Sequence, residues 1–175
     1  MSATTAVETN AVSQAAQAAA VRGAPREVLS FKLGAEEYGI DILKVQEIRG
    51  YEAPTRIVGA PPFVRGVLNL RGVVVPIVDL RLRFGLDEKF DAATVTVVLT
   101  LGGRTIGAVV DAVSDVLRLA GSQIKPAPEF SGAIDSSYIT GLGTVKTGDT
   151  ERMLILMDIE RLMGGADMGL SDSAF

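Results

Sequence analysis

LGAEEYGIDILKVQEI, residues Leu33 to Ile48, aligns without gaps on LGGRTIGAVVDAVSDV, residues Leu101 to Val116, at an offset of 68. Gly34 meets Gly102, Gly39 meets Gly107, Val45 meets Val113, Glu47 meets Asp115 and Ile48 meets Val116. Downstream, APPF at Ala60 to Phe63 answers APEF at Ala127 to Phe130, and Gly66 answers Gly141. IVDLRLRFG at Ile77 to Gly85 then answers LMDIERLMG at Leu156 to Gly164, the offset having grown to 79. One unit of sequence is used twice, which implies one small fold built twice.

Within the first copy, VLSFKL alternates Val28, Ser30 and Lys32 with Leu29, Phe31 and Leu33 and reads as a strand. Gly34 to Glu37 makes a turn, and YGIDI continues as a second strand with Tyr38, Ile40 and Ile42 on one face. LKVQEIRGY follows an irregularity near Leu43 and Lys44 that changes the parity of the inward face. The pair Pro61 and Pro62 cannot donate to a central ladder and marks a connection. VRGVLNLRGVVVPIVDL, Val64 to Leu80, is a strand, a turn at Leu70-Arg71-Gly72, and a second strand alternating through Val73, Val75 and Ile77. Asp79 and Asp158 are placed to cap a short helix, and Gly85 and Gly164 to end it in a left-handed conformation. Each unit thus holds about five strand-like runs, which suits a small closed barrel without free edges.

The expected organisation is all-β: an unstructured tail over 1–25, a first barrel over 26–90, a second over 91–164 with a terminal short helix, and a C-terminal tail over 165–175. The N-terminal tail is Ala, Thr, Gln, Ser and Val, with too little apolar area to offset ordering. A weak alanine-rich helix over Val12 to Val21 is the alternative there. Leu86 to Ala93, acidic and mixed, reads as the linker between units.

Composition narrows the function. At 47% hydrophobic residues and a mean hydropathy of +0.31 the chain is apolar, yet no window reaches the roughly 18 unbroken apolar residues of a membrane span. No secretory signal opens the sequence, so a cytoplasmic protein is expected. Cysteine and histidine are both absent, removing the thiolate nucleophile, the commonest general base and the commonest metal ligands. No cofactor or metal is expected. A net charge of -4 and a pI near 4.9 disfavour a phosphate-binding surface. An OB-like nucleic-acid binder and a small hydrolase built on paired carboxylates are the competing classes. For the latter, Asp79 and Asp158 fall at equivalent places in two copies and so on different barrels, whereas a dyad needs carboxyl groups within roughly 5–10 Å.

Arg71 stands out because the second copy carries no arginine in the equivalent turn, so barrel folding as such does not require one. Its planar fork suits bidentate recognition of a carboxylate. The ordinary alternative is a solvated turn arginine. Glu47 recurs as Asp115; if Glu47 and Arg71 are neighbours, they form an ion pair at the floor of a groove.

EEYGIDILKVQEIRGY, FVRGVLNLRGVVVPIVDLR, VVDAVSDVL, PAPEF and YITGLG, in this order, closely resemble the CheW coupling proteins of bacterial chemotaxis, from about Val28 to Met163. The resemblance implies two five-stranded SH3-like barrels around a shared core and a non-catalytic adaptor between chemoreceptor cytoplasmic tips and the regulatory domain of the histidine kinase CheA. It implies a receptor-binding groove at Val45, Glu47, Arg71 and Val116, of a kind that takes a helical hairpin between apolar walls. It also implies kinase-facing surfaces at Gly66, Lys125 and Phe130, letting the protein alternate with kinase domains, or with further CheW copies, in rings within receptor arrays.

Overall fold

Two sheets account for most of the described chain, which in this computed structural model comprises residues 26–127 and 138–164. The chain runs through β1 (Arg26–Leu33), β2 (Glu36–Asp41), a 3-10 turn (Ile42–Lys44), β3 (Val45–Gly50), β4 (Val64–Leu70) and β5 (Val73–Asp79), then α1 (Leu80–Arg83). It continues through β6 (Val95–Leu101), β7 (Arg104–Val110), β8 (Ala112–Leu119), β9 (Ile124–Lys125), β10 (Ile139–Thr147), β11 (Thr150–Met157) and α2 (Ile159–Met163). The irregularity expected at Leu43 and Lys44 is the 3-10 turn, capped by the Asp41 carboxylate accepting from the Leu43 N–H at 2.9 Å.

One sheet has the order β8-β1-β2-β11-β10-β9 and the other β3-β6-β7-β5-β4. Each therefore draws on both repeat units. The β1–β2 hairpin of the first unit joins β11 of the second in parallel, with Tyr38 opposite Ile155, while the β6–β7 hairpin of the second joins β5, with Ile77 opposite Gly107. One sheet takes strands from within 45–110 and the other from 26–41 and 112–157, so the two repeats exchange their opening hairpins in space. Crossing occurs where each copy interrupts its second strand, at Ile42–Lys44 and at Asp111, so the chain passes into the other sheet instead of folding back. The result is all-β, two SH3-like barrel subdomains with short capping helices; the sixth strand of the larger sheet, β9, is two residues long.

Three apolar clusters follow from this exchange. Val75, Ile77, Val98 and Val109 fill the smaller sheet's barrel, and Val28, Leu119, Leu154 and Leu156 fill the larger one's. Between them lies a shared core of Leu29, Phe31, Leu33, Ile40, Val97, Leu99, Ile106 and the α2 residues Ile159, Leu162 and Met163, among others. β1 is consequently buried on both faces. Ser30, on the polar side of its alternation, is fully buried with its hydroxyl donating to Glu37 Oε1 at 2.6 Å.

Both expected caps form: Asp79 accepts from the Arg81 N–H and Asp158 from the Arg161 N–H. Gly85 has the expected positive φ, 71°. Gly164 does not; its φ is -85°, and its N–H still donates to the Glu160 carbonyl at 2.9 Å, so the chain leaves α2 in a right-handed turn. The tails over 1–25 and 165–175, the helix over Val12 to Val21 and the site residue Phe130 lie outside the described residues.

Candidate functional site

β4 and β5 are joined by two residues, Arg71 and Gly72, with Leu70 opposite Val73. Their φ values of 52° and 86° are those of the turn that matches the twist of a tight hairpin. The Gly72 N–H donates to Asn69 Oδ1 at 2.8 Å and locks the reversal. Among the described residues Arg71 alone is a non-glycine with positive φ. Left-handed backbone costs a side-chain-bearing residue roughly 1–2 kcal/mol, so the arginine is held there at some expense of stability.

The turn carries the guanidinium to β3. Arg71 Nη2 donates to Glu47 Oε2 at 2.9 Å, and Arg49, two residues along β3, donates from Nη1 to Glu47 Oε1 at 3.3 Å. Arg49 also reaches Glu52 at 3.8 Å. The hydrogen bond from Arg71, aided by Arg49, holds the Glu47 carboxyl below its usual range despite some opposing desolvation. Arg71 is 64% exposed against 26% for Glu47, so the carboxylate is the more covered partner and the guanidinium faces solvent.

Val45 opens the same strand, half-buried against the shared core. Val116 lies on β8 in the other sheet, opposite Leu29 of β1, and is 53% exposed. The structure thus brings Glu47 and Arg71 into contact, sets Val45 two residues away, and places Val116 on the second barrel. Ile48, the repeat copy of Val116, is 44% exposed beside Glu47, and Val73 and Val74 are exposed just after the Arg71 turn.

Gly66 sits in β4 with φ 141°, where an added Cβ would lie 1.9 Å from the Thr55 carbonyl oxygen. Thr55 and Val67 exchange both backbone hydrogen bonds there, at 2.9 and 2.8 Å, which helps close the barrel. Its copy Gly141 faces the Lys125 carbonyl oxygen, 2.9 Å from the Cβ position. Both glycines are needed for close backbone approach. Lys125 is exposed on β9.

Two arginine clusters escaped the sequence reading. Arg152 of β11 pairs with Glu37 and reaches Asp115, the copy of Glu47, at 3.4 Å; hydrogen bonds from Arg152, then Ser30, lower the Glu37 carboxyl against the opposing effect of burial. Arg152 lies past the turn that the repeat aligns with Arg71, so turn-by-turn comparison passed over it. In the other cluster Arg81 and Asp79 are fully buried, and the sequence shows no polar pattern there beyond the Asp79 cap.

A model described as CheW-like domain matches residues 27–167. The chain is 55% identical over 149 residues to the chemotaxis protein CheW of Klebsiella aerogenes, covering 85% of this chain and 87% of that one. It is 35% identical over 138 residues to a probable chemotaxis protein CheW of Rhizobium etli, covering 78% and 86%. Among solved structures, the scaffolding protein TtCheW from Thermoanaerobacter tengcongensis superposes with a TM-score of 0.70 at 31% identity, covering 81% of this chain and 94% of that one. With that match spanning both barrels and the exchanged hairpins, the chain belongs to the CheW family.

Proposed function

We propose that this protein is a non-catalytic adaptor that couples chemoreceptor signalling tips to the histidine kinase CheA in a cytoplasmic sensory array. The observation that carries the reading is the ion pair of Glu47 with an Arg71 kept in a strained turn. Strain retained at an exposed, charged residue marks a role other than folding. Val45, Glu47, Arg71 and Val116 form the receptor-facing set, in which a charged floor fixes the register of an amphipathic helix and the exposed apolar residues supply contact area. Gly66, Lys125 and Phe130 form the kinase-facing set, and with two such faces the protein alternates with kinase domains or further copies in a ring, gaining avidity from multivalency. Among the described residues no helix is long and apolar enough to cross a membrane, and no cluster of acidic residues is arranged to hold a metal ion.

The test is co-sedimentation with a receptor-tip fragment and with the regulatory region of a CheA-type kinase, singly and together. Binding of both partners, with kinase activity under receptor control only when this protein is present, is the expected result. Arg71→Glu should weaken receptor-tip binding about tenfold or more while the melting curve stays in place. Retention of neither partner by the parent protein removes the reading.

A further inference from the structure

Each sheet ends in a strand that bulges at an acidic residue. β3 ends the smaller sheet, and there Val45 pairs with Leu99 and Glu47 with Val98, so Gln46 is an extra residue inserted before the carboxylate. β8 ends the larger sheet, and there Val113 pairs with Phe31 and Val116 with Leu29, so Ser114 and Asp115 together oppose Ser30. The repeat sets Gln46 on Ser114, Glu47 on Asp115 and Val98 on Ser30, which makes the two bulges copies of each other. A bulge at a sheet edge re-aims a side chain out of the plain alternation of a strand. Each acid is followed by an exposed apolar residue, Ile48 in one copy and Val116 in the other.

An arginine reaches both acids, from places that the repeat does not relate. Arg71 comes from the β4–β5 turn, whereas Arg152 lies within β11, at the position that the offset of 79 gives to Val73. The fork of Arg152 is engaged by Glu37, with Nε donating to Oε2 at 3.1 Å and Nη2 to Oε1, and only a 3.4 Å contact from Nη2 reaches Asp115 Oδ1. Glu47 instead receives both Arg71 and Arg49. Exposure is inverted accordingly. Arg71 is the outer member of its pair, whereas at the second bulge Asp115 is 45% exposed and Arg152 26%. The first barrel turns a guanidinium to solvent and the second a carboxylate.

We propose that Asp115 is a second charged contact of the receptor-facing surface, taking a basic side chain of the docked helix while Arg71 takes an acidic one. The inference rests on the receptor reading of Val45, Glu47, Arg71 and Val116, since Asp115 adjoins Val116 on β8 and repeats Glu47 of β3. One guanidinium against the two carboxylates Glu37 and Asp115 leaves a negative charge in excess, and Asp115 is the member that carries it to the surface. Opposite polarity at the two barrels gives the surface a direction. A helix with an acid toward the first barrel and a base toward the second is attracted at both places, and the reversed helix sets like charges together at both. The exposed apolar residues beside the acids supply contact area in either direction, so charge decides between them.

The test uses the full-length protein with a receptor-tip fragment, and the kinase regulatory region as a control ligand. Asp115→Lys should lower affinity for the receptor tip about tenfold or more and leave kinase-region binding and the melting curve in place, while Asp115→Glu binds as the parent does. If the lysine variant unfolds, Asp115→Asn takes its place, with a loss of about threefold or more expected. Single charge reversals along the fragment then identify the contact. An Arg or Lys changed to Glu in the receptor tip should restore binding of Asp115→Lys but not of Arg71→Glu, which an Asp or Glu changed to Lys restores instead. Binding by the Asp115 variant equal to that of the parent while Arg71→Glu is impaired overturns this inference alone, as does a loss that no basic-to-acidic reversal restores. Failure of the parent itself to bind the receptor tip overturns the receptor reading and this inference with it.

Discussion

Asp79 and Arg81 meet fork to fork inside the protein, Nε to Oδ1 and Nη2 to Oδ2 both at 3.0 Å, with both side chains fully buried. Asp79 also accepts from the Arg81 N–H at 3.0 Å and from Arg65 Nε at 2.7 Å. Arg81 continues to Asp111 at 3.2 Å, whose other oxygen accepts from the Gly34 N–H at 2.7 Å. This run of contacts links α1 of one barrel to the β1–β2 turn of the other.

Removing one partner leaves a buried charge without compensation, which costs about 3–5 kcal/mol, whereas replacing the pair by apolar groups is often far milder. Asp79→Asn should therefore destabilise by about that much, and Asp79→Leu with Arg81→Met by clearly less than the two single changes summed. Urea unfolding of Asp79→Leu, of Arg81→Met and of the double variant measures the coupling; additive effects would show that the pair does not act as a unit.

The same carboxylate sets an acid response. Burial works to raise Asp79, and the hydrogen bonds and charges of Arg81 and Arg65 outweigh it, leaving the folded pKa below the usual value. A depressed folded pKa stabilises the fold above the unfolded pKa, about 3.9 for an aspartate, and that contribution is lost as pH falls through the folded value. Parent stability should hold down to about pH 5 and then decline. Because Glu37 is lowered as well, the informative quantity is the parent minus Asp79→Asn difference, which should shrink on acidification. A difference independent of pH contradicts the assignment.

Much of this arrangement is legible in the sequence, because repeat, turns and caps are local. The Leu33–Ile48 and Leu101–Val116 alignment gives two copies, and Arg71-Gly72 gives the turn. The hairpin exchange is not legible, since β2 presents the same alternation whether it pairs with β11 or with a strand of its own unit. Nor is the role of Arg81 legible, because LRLR reads as a polar helix surface until Lys89, Phe90 and Asp111 are brought around it. The Glu47–Arg71 contact needed only that a turn and a strand 24 residues apart converge, and the resemblance pointed to both.

Gly66 separates backbone need from partner contact. A Cβ 1.9 Å from the Thr55 oxygen meets rigid backbone, so Gly66→Ala should cost at least about 2–3 kcal/mol and loosen the Thr55–Val67 closure. Gly50, with nothing within 4 Å of its Cβ position, should accept alanine within about 0.5 kcal/mol. Thermal melts of the two variants provide the comparison. Loss of kinase binding in the Gly66 variant would then report a distorted barrel, and surface substitutions around it would be needed to map contact.

Arg71→Asn isolates what the strained arginine is for. Asparagine accepts left-handed backbone more readily than arginine, so relief of the turn should hold or raise stability by up to about 1 kcal/mol. The lost partner is an exposed guanidinium on a carboxylate that Arg49 still reaches, and pairs of that kind add little to folding. The Glu47 carboxyl should titrate higher once Arg71 is gone, visible by NMR of the side-chain carbon, since the hydrogen bond from Arg71 is the leading cause of its lowered pKa. Receptor-tip binding should fall in the same variant. Stability held while binding drops means that the turn stores strain to present a charge; stability and binding falling together mean that Arg71 braces β3 against the β4–β5 hairpin, and the recognition surface must then be sought among Ile48, Val73 and Val74 instead.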